Sequence, residues 1–125
     1  FSHCTDLREV ILPDTITSIG PNTLSHCYAL QTVTLPAHLT TISDGMFLYS
    51  TNLQSITLPE TITTIERSAF AYCTNLQSIT LYDKISSVGE KAFRACDKLT
   101  DITVIKNGNE HKFTKIQDAL DFLNP

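Results

Sequence analysis

The chain has 125 residues, 42% of them hydrophobic and 18% charged, a balance that fits a globular domain folding in water and excludes a disordered tail. Lys+Arg 9 against Asp+Glu 13 leave a formal charge of −4 and a pI near 5.4, so there is no cationic footprint for a phosphate backbone and nucleic acid is excluded as a partner. No apolar run approaches the ~18 residues that span a bilayer, which excludes membrane insertion, and no signal peptide opens the chain; the start at Phe1 reads as a processed or excised piece.

One motif recurs every 23 residues without a gap, in units that begin at Phe1, Leu24, Phe47, Phe70 and Phe93. Next comes a small-residue column, Cys4, Cys27, Ser50, Cys73 and Cys96, and then an unvarying one, Leu7, Leu30, Leu53, Leu76 and Leu99. Two further apolar columns follow, Val10, Val33, Ile56, Ile79, Ile102 and Leu12, Leu35, Leu58, Leu81, Val104. A fixed period of this length with L-x-x-[VI]-x-L marks stacked units that cannot bury their apolar faces alone.

Within a unit, the period-2 alternation at 9–12 and its equivalents predicts a strand with one buried face. Pro13, Pro36 and Pro59 end pairing there and turn the chain, because proline has no N–H to donate. Ile16 and Ile19 then lie on an extended stretch. The spacing of Ile65, Ala69, Phe70 and Cys73 predicts one inward face of a short helix, with Asn52 and Asn75 placed as left-handed residues that end such helices.

After Ile105 the register breaks. Asn107-Gly108 predicts a two-residue hairpin turn with a strand returning over 110–113. Thr114 and Gln117 have capping-box spacing, and Ile116, Ala119, Leu120 and Leu123 fall on one helical face. The expected organisation is a solenoid over 1–105 and a C-terminal hairpin-plus-helix cap over 106–125. No such cap precedes Phe1, so the N-terminal face is expected to be raw, a place for further repeats or for self-association.

The unit F-x-x-C-T-N-L-Q-S-I-T-L-P-x-T-I-x-x-I-x-x-x-A closely resembles the 23-residue leucine-rich repeats of the BspA-like, or treponemal-type, family, over residues 1 to about 105. Ser50, Leu24 and Tyr82 depart from the pattern, replacing Cys, Phe and Pro. The resemblance implies an α/β leucine-rich-repeat solenoid with a parallel strand ladder on the concave side and short helical turns on the convex side. It also implies a cell-surface or secreted location in host-associated bacteria or mucosal protists, where adhesion to proteins is a common role.

The cysteines all stand in one column, so any bridge would join neighbours with parallel side chains, poor geometry for a disulfide; they read as reduced, buried thiols. Short C-x-x-C spacings are lacking, and no catalytic motif or Gly-rich phosphate loop occurs, so neither a metal, a cofactor nor an enzyme is expected. A binding surface is the remaining candidate. Alternation places Glu9, Thr32, Ser55, Ser78 and Asp101 in one outward row and Thr34, Thr57, Thr80 and Thr103, with Ile11, in the next; Tyr82 is the one aromatic there. The same rows fit a spacer whose Thr and Ser merely keep a half-exposed sheet soluble, or a ladder matching a repetitive surface such as ice or a glycan. A second candidate is the edge column His3, His26, Tyr49 and Tyr72, with Tyr28 nearby, which forms either a stacked recognition strip or a cover for a turn.

Overall fold

The computed structural model describes residues 2–125; the opener Phe1 lies outside them. In chain order the elements are β1 (Glu9–Ile11), β2 (Thr32–Thr34), β3 (Thr41–Ile42), β4 (Ser55–Thr57), β5 (Thr64–Ile65), β6 (Ser78–Tyr82), β7 (Ser87–Val88), β8 (Asp101–Lys106), β9 (Asn109–Phe113) and α1 (Ile116–Leu123). Each repeat makes one coil of a parallel solenoid. The front strand comes first and the chain turns after it; in the second to fourth repeats a two-residue strand then runs along the back before a series of turns leads to the next coil.

The 23-residue period appears directly as strand register. Val10 lies opposite Val33, Ile56 opposite Ile79 and Ile79 opposite Ile102 on the front, while Ile42, Ile65 and Val88 align on the back. Between front and back the columns fill one core, in which Leu30, Leu53, Leu76, Ile42, Ile65, Phe47 and Phe70 are fully buried. In the first repeat the same columns, at Leu7, Leu12, Ile16 and Ile19, are only half-buried. A solenoid repeat borrows cover from both neighbours, and here one side is uncovered.

The segments between coils are not the short helices that their spacing predicts. Ile65, Ala69, Phe70 and Cys73 do share a buried face, but the backbone runs as consecutive turns. Ala69, Ala71 and Cys73 N–H donate to the carbonyl three residues back, whereas Ser68, Phe70 and Tyr72 N–H donate to Glu90, Ala92 and Arg94 carbonyls of the next repeat at 3.1, 2.7 and 2.7 Å. Every second donor is thus used between coils, which leaves no i→i−4 helical ladder. The left-handed residues lie elsewhere as well. They are Asn22, Gly45, Ser68 and Lys91 in one column and His3, His26, Tyr49, Tyr72 and Ala95 in another, not Asn52 or Asn75. Gly45, at φ 62°, also faces the Asn22 side chain too closely to leave room for a Cβ.

At the C-terminal end, β8 and β9 form an antiparallel hairpin through Asn107 and Gly108, both with positive φ as the tight turn requires. Helix α1 buries Ala119 and Leu123 against the last coil. The capping box does not form: the helix starts at Ile116, Lys115 is its N-cap without a side-chain bond, and Gln117 donates instead to Asp121 at 2.9 Å. The other end is tied down. Lys106 Nζ donates to Phe122 O at 3.0 Å and sits 4.7 Å above its ring, and Asn124 Nδ2 donates to Ile85 O.

Candidate functional site

Strand alternation turns two rows of side chains away from the core. Glu9, Thr32, Thr34, Ser55, Thr57 and Asp101 are exposed, while Ser78, Thr80 and Tyr82 are half-buried. Thr103 departs from the expected outward row: it is buried, because Lys112 on the returning strand β9 lies opposite it and donates to its Oγ1 at 2.6 Å. Asp101 is engaged by the same Lys112, at 3.5 Å. The hairpin therefore closes the C-terminal third of the face. Ile11, 67% exposed, stands at the opposite end.

The front ladder is not continuous. Its strands form one pair, β1-β2, and a separate sheet, β4-β6-β8-β9, whereas the back ladder β3-β5-β7 continues across the same coils. Gln31, Gln77 and Thr100 N–H each donate to the repeat before them, at 2.8, 2.8 and 3.2 Å, and Leu12 and Leu58 N–H donate to the repeat after them. Gln54 and Leu35 occupy those same two columns, yet among the described residues no backbone bond joins β2 to β4. The coils are held at bonding distance behind and parted in front.

An open groove of about 660 Å³ follows the parting. Thr32 and Thr34 line one bank and Ser55 and Thr57 the other, with Glu60 and Tyr82 at the strand ends. Tyr82 reaches this place because it stands in the proline column. With an N–H in place of a proline ring, β6 runs five residues instead of three, paired through Tyr82 opposite Ile105. Four of the candidate residues read from the alternation, Thr32, Thr34, Ser55 and Thr57, meet here, together with Tyr82. Glu60 is the residue that alternation misses. Its column, Asp14, Ala37, Glu60, Asp83, is acidic in three of four repeats, a signal present in the aligned units. Asp14 and Asp83 accept backbone N–H bonds from Ala37 and Asn107, at 2.9 and 2.8 Å.

The edge column forms a continuous ring stack. Centroids lie 4.5 Å apart for His3 and His26, 5.1 Å for His26 and Tyr49, and 4.6 Å for Tyr49 and Tyr72, with Arg94 5.8 Å from the Tyr72 ring and Tyr28 edge-on to His26. All four ring-bearing members of the column have left-handed backbones, a conformation that His and Tyr adopt only at some cost; ring stacking offsets it. Between His3 and Tyr72 the facing ring surfaces are occupied by each other, so along the stack this column offers mainly edges to a partner, whereas the groove offers hydroxyls, an aromatic ring and unpaired backbone.

The model of the BspA type leucine-rich repeat region (6 copies) matches residues 1–119. The chain belongs to this family. A leucine-rich cell surface protein of Faecalibacterium prausnitzii A2-165 superposes on this BspA-type chain with a TM-score of 0.78 at 32% identity, over 85% of this chain and 27% of that one. The leucine-rich repeat protein TpLRR of T. pallidum gives a TM-score of 0.79 at 28% identity, over 82% and 48%. A leucine-rich repeat protein from Bacteroides ovatus ATCC 8483, at 21% identity, TM-score 0.53 and 79% and 38% coverage, shares the fold. The BspA-type chain spans less than half the length of each of these proteins. A comparison with curated protein sequences finds no match.

The cysteine column of the BspA-type unit has a structural use. Cys73 Sγ donates to Phe47 O at 3.2 Å, Cys96 Sγ to Phe70 O at 3.0 Å, and Ser50 Oγ to Leu24 O at 2.8 Å. A hydroxyl performs the thiol's task, so the Ser50 replacement leaves the stack intact. No bridge joins Cys4, Cys27, Cys73 or Cys96. Burial pushes the Cys96 thiol up to about 12, and burial, reinforced by the Cys96 charge, raises Cys73 well above its ordinary value. A raised folded-state value means that the native state holds its proton where the unfolded chain has lost it. Stability from these thiols is therefore full below their ordinary value of 9.0 and falls as pH rises towards about 12. The urea midpoint is expected to drop between roughly pH 8 and roughly pH 10.5, and less steeply in a Cys73→Ser, Cys96→Ser variant. Equal slopes in both proteins would exclude thiol ionisation as a cause.

Proposed function

We propose that this chain is a non-catalytic, adhesin-type protein-binding module of a bacterial cell-surface or secreted leucine-rich repeat protein, with its partner docking on the strand face at the groove between β2 and β4. The parting of the front ladder carries this reading. It turns an otherwise uniform Thr and Ser face into one place where hydroxyls, unpaired strand edges and the Tyr82 ring converge. Aromatic anchors beside desolvated polar groups are where interface energy concentrates. The cell-surface description of the F. prausnitzii relative supports the location.

The test is binding of the purified chain to an immobilised panel of extracellular-matrix and cell-surface proteins, alongside a Thr34→Arg, Thr57→Arg variant. Both positions are exposed and on opposite banks, so folding is expected to be unchanged by circular dichroism. Binding is expected from the wild type and lost in the variant. Binding that survives would move the site to the His26, Tyr49 and Tyr72 edge, and silence from both proteins would favour a spacer.

A further inference from the structure

We propose that the free edge of β9 pairs antiparallel with β9 of a second copy about a two-fold axis at His111, joining two chains into one continuous sheet with both strand faces on the same side. This assembly concerns the far end of the sheet from the groove and stands independently of the binding reading.

The edge is open in a definite pattern. β9 is the outermost strand of the β4-β6-β8-β9 sheet, and among the described residues it touches β8 and α1 alone. The tight turn at Asn107 and Gly108 makes Lys106 and Asn109 a hydrogen-bonded pair, and bonded pairs alternate with non-bonded ones from there. His111 opposite Val104 and Phe113 opposite Ile102 are therefore bonded to β8, while the N–H and C=O of Glu110 and Lys112 point away from it. Among the described residues no backbone bond uses them. Each copy thus offers two donors and two acceptors on a strand of five residues, a template for another extended chain.

That edge is complementary to itself. An axis at His111 sets Glu110 opposite Lys112 of the second copy, and Lys112 opposite its Glu110. Each pair exchanges two main-chain bonds, so every free donor and acceptor on both edges is used. The side chains directly across carry opposite charges, which stabilises the pairing. A slip that sets Glu110 against Glu110, or Lys112 against Lys112, puts like charges across and leaves the other residue opposite no part of the strand. Charges on an edge guard against pairing in general; here they repel those registers and favour one.

The charged face is already ordered. Lys112 lies 3.5 Å from both Asp101 and Glu110 and donates to Thr103, yet its side chain remains 60% exposed, open to a further carboxylate. On the other side of β9, His111 and Phe113 pack against Phe122 with ring centroids 4.6 and 5.3 Å away, and all three are only half-buried. Across the axis His111 meets its own counterpart and Phe113 meets Asn109, so these rings gain cover from the second copy.

The experiment is sedimentation velocity on the whole chain from about 10 µM to about 1 mM, the range in which an interface of this small size exchanges. Amide exchange at both ends of that range accompanies it. Monomer is expected to give way to dimer and to nothing larger. Glu110 and Lys112 N–H are expected to exchange more slowly as the concentration rises, and His111 and Phe113 N–H, bonded to β8 throughout, to stay unchanged. Lys112→Glu sets glutamate opposite Glu110 twice and is expected to weaken the dimer about 10-fold. The double variant Glu110→Lys, Lys112→Glu restores opposite charges and is expected to return to within about 3-fold of the wild type. Both variants lose the Lys112 contacts to Asp101 and Thr103, so rescue separates pairing between copies from support within one, with circular dichroism checking that both fold. Monomer at every concentration would overturn the proposal, as would growth beyond two copies, a dimer with unchanged exchange at Glu110 and Lys112, or a double variant no better than the single one.

Discussion

Replacing Phe70 with alanine is expected to destabilise the chain by about 3–5 kcal/mol, the range for a large aromatic removed from a core. Phe70 is fully buried. Its ring lies between Phe47 and Phe93, with centroids 5.2 Å away on either side and planes tilted by 11° and 7°. One truncation therefore removes two ring contacts and opens a cavity that spans the third to the fifth repeat. The backbone around it has little freedom to collapse, because Phe70 N–H is bonded to Ala92 O at 2.7 Å and its carbonyl accepts the Cys96 thiol. A domain of this size has a total stability of about 5–15 kcal/mol, so the variant is expected to lose a large share of it. Urea melts followed by far-ultraviolet circular dichroism and by tyrosine fluorescence check this, and the two probes test whether the coils still unfold together. A loss below about 1 kcal/mol would contradict the stacked column.

Leu53→Ala is expected to cost about 2–5 kcal/mol. Leu53 is fully buried in the invariant leucine column, in the middle repeat, with a coil on each side. Leu7 stands in the same column and is only half-buried, so Leu7→Ala is expected to cost less, although the two changes look identical in the sequence. The comparison isolates the contribution of neighbouring coils. Equal losses at the two positions would mean that the column is not covered from both sides.

Much of the fold is legible in the sequence because the repeat makes the same statement five times. The register of Val10 with Val33 and of Ile79 with Ile102 follows from the period alone, and Asn107-Gly108 specifies its hairpin through the positive φ that both residues adopt. The turns are less legible. A buried face formed by Ile65, Ala69, Phe70 and Cys73 suits a helix as well as a series of turns, and the choice depends on donors spent between coils, which no single repeat contains. The capping box at Thr114 is a local pattern that the hairpin overrides by starting the helix at Ile116. The cysteine column reads as small and apolar, and its donor role becomes visible only where Ser50 repeats the same bond with a hydroxyl.

The candidate site was half legible. Alternation brings Thr32, Thr34, Ser55 and Thr57 to the face, and the departure from proline at Tyr82 marks a special position. The covering of Thr103 by Lys112 depends on a strand that returns from outside the repeats. The parting between β2 and β4 has no counterpart in the columns, since Gln31, Gln54 and Gln77 are the same residue in three successive repeats. It shows only in the pairing between coils: bonded along the back from β3 to β5, unbonded along the front.

Amide hydrogen exchange across the front ladder tests that parting most directly, because exchange reports on individual backbone hydrogen bonds. Gln31 and Gln77 N–H, each bonded at 2.8 Å to the repeat before, are expected to exchange slowly. Gln54, between them in the same column, and Leu35 on the facing bank are expected to exchange fast. Protection of Gln54 equal to that of Gln31 and Gln77 in the free protein would mean a closed, continuous ladder and would contradict the groove as the docking site.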